Sequence, residues 1–169
     1  MLRQAREFGP ALLVPLAWLF VTAAHLGAVA ASTLFVAHVV MSVLLAVFAV
    51  TGRADMREGT LRVWWWIIAI GLVVTLLGTA GFRIDTGGAL LQSLALYGWM
   101  LLPTAGFVDT ARRGADRPWL YYGGGLASIL GAVGYGVGFV TAFPLLQVAG
   151  LVAVGVGQTV AIVDAAFAS

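Results

Sequence analysis

Two arginine–aspartate pairs are the residues of this chain whose types and spacing most plainly suggest chemistry. Arg62 and Asp109 lie 47 residues apart, as do Arg117 and Asp164, and the second pair follows the first by 55 residues. Each arginine opens an apolar run and each aspartate closes the next one. If the two runs fold back on each other, the charges meet at one membrane boundary. A pair that is partly dehydrated there is worth more than one in open water. It would staple the two runs and fix their depth, or it would work as a gate. Asp109 has a second candidate partner in Arg113, one helical turn on. Arg6 and Asp55 offer a looser version of the same arrangement.

His25 and His38 are the next candidates. They fall near the end of one apolar run and the start of the next, so a fold-back brings them to similar depth. Two imidazoles placed that way suit a b-type haem or a metal ion, and would make an electron-transfer protein associated with haem or quinone. Hydrogen bonding to loop carbonyls is the commoner use of interfacial histidines, and no cofactor is expected. Gln92, Thr104, Gln158 and Thr159 lie inside apolar runs and are candidates to line a path or to bond one helix to another. None of these ionises near neutrality. Proton pumps and ion-coupled carriers need a carboxylate or histidine deep in the bundle, and none stands in the middle of a run.

The chain has no cysteine, and all nine of its basic residues are arginine, which excludes thiolate and lysine Schiff-base chemistry. No GxSxG, HExxH or P-loop pattern occurs, and Gly123-Gly124-Gly125 lacks the strand–loop–helix setting that phosphate binding needs. Nothing in the sequence nominates an enzyme. The net charge of +2 comes from arginines that sit where membrane topology wants them, so nucleic acid is not an expected partner.

The elements that carry these residues are set by composition. Of 169 residues 62% are hydrophobic and 9% charged, where a soluble domain has about 25% charged. The chain belongs in lipid. Apolar runs predict spans at about 11–30, 32–50, 62–82, 89–111, 119–140 and 144–167. The expected fold is all-α: an integral membrane six-helix bundle in a single transmembrane domain, built from three antiparallel transmembrane hairpins. Spans 3–4 and 5–6 form an internal repeat. Leu90–Ala111 aligns without a gap on Leu145–Ala166 with eight of 22 positions identical, Gln92/Gln147, Thr104/Thr159 and Asp109/Asp164 among them. Arginines cluster before span 1 and in the loops after spans 2 and 4, which places both termini in the cytoplasm of a cell-membrane protein.

Span 5 repeats glycine every seven residues at Gly124, Gly131 and Gly138, and span 6 adds Gly150, Gly155 and Gly157. Such small-residue faces let helices approach closely in lipid. They would serve internal packing, a homo-oligomer, or docking into a larger membrane complex. The function expected from all this is non-enzymatic: a small neutral-solute channel or carrier, or an accessory subunit.

Overall fold

The computed structural model describes residues 2–167 and consists of six helices. These are α1 (Leu2–His25), α2 (Ala31–Gly52), α3 (Gly59–Gly81), α4 (Gly88–Arg112), α5 (Pro118–Val140) and α6 (Pro144–Phe167). Helices α2 to α6 are long and apolar enough to cross a membrane. In α1 the apolar part is the shorter Ala11–His25. The side chains of Arg3, Arg6 and Glu7 lie outside the described residues, and with them the Arg6–Asp55 pairing.

The first span was expected to run to Ala30, but the helix stops at His25. Its end is a left-handed cap centred on Gly27, whose φ is +75°. The Ala28 amide donates to Ala23 O and the Gly27 amide to Ala24 O, both at 3.0 Å. This pair of hydrogen bonds satisfies two of the last carbonyls and turns the chain, whatever the hydropathy of the residues beyond. The same cap closes α5. There the Phe143 amide donates to Gly138 O at 2.8 Å and the Ala142 amide to Phe139 O at 3.3 Å. Ala142 takes the left-handed position at φ 51°, where glycine is usual.

The described chain divides into two compact units. One comprises residues 1–29 and 107–169, and so holds α1, α5, α6 and the end of α4 from Phe107 to Arg112. The other comprises residues 30–106, and so holds α2, α3 and most of α4.

In the first unit α5 and α6 pack antiparallel through glycine. A Cβ on Gly131 would lie 2.6 Å from Gly150 O, and one on Gly124 would lie 2.6 Å from Gly157 O. At the far end, Gly138 lies against Gln147 and Phe143. The heptad spacing puts all three α5 glycines on the side facing α6, and any side chain there would push the helices apart. Helix α1 packs on α6, with Trp18 over Gly155.

In the second unit glycine again receives the partner helix, but mostly by taking a side chain. Gly71 accommodates the Trp99 ring, Gly78 faces Ala95, and Gly106 faces Trp64 and Ile67. Gly81 and Gly88 touch backbone to backbone. Helix α2 joins α3, where Trp65 Nε1 donates to Ala49 O at 2.9 Å.

The outer surface is apolar. Val36, Val40, Val43, Val47 and Val50 of α2 are exposed, as are Leu126, Leu130, Val133 and Val137 of α5. Faces of this kind suit lipid rather than water.

Candidate functional site

The best-formed cluster of sequence-nominated residues sits where α5 begins and α6 ends. Arg117 caps α5, with Pro118 in the first helical position, where its missing amide costs nothing. Asp164 lies one turn before the end of α6. Arg117 Nη1 donates to Asp164 Oδ1 at 3.0 Å. The Tyr121 hydroxyl donates to the other oxygen, Oδ2, at 3.1 Å.

The pair is lopsided. The Asp164 side chain is 8% exposed and that of Arg117 is 66% exposed. A carboxylate so covered needs donors, and it has one on each oxygen. Arg117 keeps most of its N–H groups facing outward. Tyr121 is itself buried, with its ring 6.5 Å from that of Phe107.

Beside this cluster a groove of about 580 Å³ opens along α5 and α6. Leu120, Val160, Val163 and Phe167 line it, with exposed Asp116 and Arg117 at its rim and the covered Asp164 carboxylate behind them. Thr159, one of the polar candidates, also lines it.

The other nominated residues are placed as follows. Asp109 accepts from Arg113 Nε at 2.7 Å, the neighbouring-turn pairing. Arg62 is exposed in the first turns of α3, in the other unit from Asp109. Gln158 is 2% exposed and accepts from Trp18 Nε1 at 3.0 Å. Gln92 lies with its Cγ 3.0 Å from where a Gly81 Cβ would stand. Gln147 does the same at Gly138 and also donates from Nε2 to Gly138 O at 3.1 Å. The Thr104 hydroxyl is buried and has no hydrogen-bond partner.

Each histidine is engaged in its own unit. His25 Nδ1–H donates to Val21 O at 2.9 Å. That fixes Nε2 as the acceptor, and the Tyr135 hydroxyl donates to it at 3.0 Å. His38 Nδ1–H donates to Leu34 O at 2.9 Å, and its ring meets Phe82 edge-on at 5.1 Å. Haem ligation through His25 Nε2 would have to displace Tyr135. Among the described residues no three His, Cys, Asp or Glu side chains cluster as a metal site.

Three partners were not nominated from the sequence: Tyr121, Tyr135 and Trp18. Spacing offers a signal for two of them. Tyr121 is four residues after Arg117, hence on the same helical face. Trp18 is seven residues before His25, hence on the same face of α1. No protein-family model matches the chain, and no curated protein or solved structure matches it significantly.

Proposed function

We propose that this chain is a non-enzymatic multi-pass protein of the cell membrane that serves as an accessory subunit of a larger membrane complex, with both termini in the cytoplasm. One observation carries the reading: apart from the Thr104 hydroxyl, the buried polar side chains inside the helices bond to neighbours in their own unit. Trp18 bonds Gln158, Tyr135 bonds His25, and Trp99 bonds Thr75. Ser42, Ser128 and Thr79 each bond a carbonyl one turn back. Groups tied up this way hold helices in register and leave little to bind a solute. Met100, Phe107, Leu151 and Val154 are fully buried, so side chains fill the interior of each unit.

A duplicated helical hairpin is part of the same proposal. Gly71, Thr75 and Gly78 of α3 recur 53 residues later as Gly124, Ser128 and Gly131 of α5. Both hydroxyls donate to the glycine carbonyl one turn back, Thr75 to Gly71 O at 2.7 Å and Ser128 to Gly124 O at 2.9 Å. The facing helix repeats at an offset of 55: Ala95 meets Gly78, and its counterpart Gly150 meets Gly131. These registers favour one hairpin plan used twice, with Arg117–Asp164 as the clasp of the second copy.

The test is native electrophoresis of membranes opened in a mild detergent. The accessory reading expects the 17.6 kDa chain to migrate in a larger assembly and to co-purify with fixed partners at constant stoichiometry. Migration alone, together with swelling of protein-containing liposomes in small uncharged solutes, would replace it with the neutral-solute channel. A haem Soret band in the pure protein, lost in His25→Ala or His38→Ala, would replace it with the electron-transfer reading.

A further inference from the structure

We infer that the groove between the start of α5 and the end of α6 is a binding site for an amine-bearing zwitterionic phospholipid of the phosphatidylethanolamine type. The inference needs the membrane setting but not the accessory role.

Three features of the groove converge on that headgroup. Its bed is aliphatic and aromatic, and Val160 and Phe167 are exposed there. Such a strip suits the first carbons of acyl chains lying along a helix. Its volume, about 580 Å³, is within the range of roughly 300–1,000 Å³ usual for small-molecule sites, enough for a headgroup and glycerol. Its rim carries both signs of charge.

The cation is Arg117. One of its N–H groups is committed to Asp164, and the guanidinium is mostly exposed. Its remaining donors match the oxygens of a phosphate. The positive end of the α5 dipole lies at the same rim and adds to that preference. The anion available to a ligand is Asp116, which is exposed beside it. Asp164 is buried against Arg117 and Tyr121 and so acts from behind.

The balance of charge selects among lipids. Arg117, Asp116 and Asp164 together carry a net charge of −1, so a purely anionic headgroup meets one attractive and two repulsive groups. A primary ammonium donates hydrogen bonds to Asp116, whereas a choline ammonium has no N–H to donate. The aromatic groups that would favour choline instead are not arranged as a cage here. Exposed Trp119 and Tyr122 at the start of α5 suit the headgroup level of a bilayer, the depth this ligand requires.

The experiment is native mass spectrometry of the full chain released from micelles holding equal amounts of ethanolamine, choline and glycerol phospholipids with identical acyl chains. The expected result is first-lipid binding enriched about two- to fivefold in the ethanolamine lipid, the selectivity of one partly exposed charge pair. Asp116→Asn should abolish that enrichment while total lipid bound stays constant. Val160→Trp should fill the bed and lower binding of all three. Equal retention of the three lipids, enrichment of the glycerol lipid, no retained lipid, or an ethanolamine preference that survives both substitutions would overturn the assignment.

Discussion

Replacing Gly150 with alanine tests whether backbone contact holds α5 and α6 together. The added Cβ would stand 2.5 Å from Gly131 O, 2.7 Å from Tyr135 N and 3.1 Å from Tyr135 Cα. All three are backbone atoms, so no rotamer change relieves the clash. A carbon needs about 3.5 Å, so the helices must part by roughly 1 Å at this point. A gap of that size forfeits a quarter to a half of each dispersion contact across the interface, and overpacking of this kind costs about 1–3 kcal/mol. Against it stands the helix propensity that alanine gains over glycine, about 1 kcal/mol. The net expectation is destabilisation by up to about 2 kcal/mol.

Gly123→Ala is the matched control. It lies in the partner helix α5, beside the contact glycine Gly124, and a Cβ there meets nothing within 4 Å. It keeps the propensity gain without the clash, so it should be neutral or stabilising by up to about 1 kcal/mol. Reversible unfolding in mixed micelles with increasing denaturing detergent reads both. Equal shifts for the two variants, in either direction, would refute the claim that close approach at Gly150 positions the helices.

Three further outcomes follow from individual contacts. Gln158→Leu leaves the buried Trp18 indole N–H without its acceptor and should cost about 1–3 kcal/mol in the same assay, much of it recovered by adding Trp18→Phe. Thr104→Val removes a buried hydroxyl that bonds nothing while keeping its shape, so it should stabilise by about 1 kcal/mol. Ala142→Gly relieves a left-handed backbone at φ 51° and should raise stability by roughly 1 kcal/mol; a loss would mean that the α5 cap is not strained.

The helical, membrane-like character was legible because it rests on composition and on runs longer than a soluble helix needs. The proximity of Arg117 and Asp164 was legible for a different reason: charges are rare in this chain, so their recurrence at a fixed spacing stood out. The end of α1 was legible only to within a few residues, because a left-handed cap at Gly27 is a backbone event that hydropathy does not register among 22 glycines. The uses of Gln158 and His25 were not legible. Their partners Trp18 and Tyr135 stand 140 and 110 residues away in sequence, and only packing brings them together. At Asp109 spacing offered two arginines, and the one a turn on, Arg113, lies 2.7 Å away in a local pair that needs no fold-back.

The two glycine–hydroxyl motifs, Gly71 with Thr75 in α3 and Gly124 with Ser128 in α5, sit in different packing. In α3 the Gly71 gap holds the Trp99 ring, whose indole N–H must find an acceptor once it leaves water. Thr75 supplies it at 2.8 Å while donating its own proton to Gly71 O at 2.7 Å. At the offset of 55 the position of Trp99 is taken by Val154, which brings no polar atom. Ser128 then needs only the Gly124 carbonyl, and Gly124 lies on Gly157 and Ala161. With no aromatic ring at that place, α5 and α6 make glycine-on-glycine contact, whereas at Gly71 a tryptophan held by a hydroxyl lies between α3 and α4. The close pair is the one that carries the buried Asp164, and the same tight approach that excludes side chains along its length leaves the groove at its charged end.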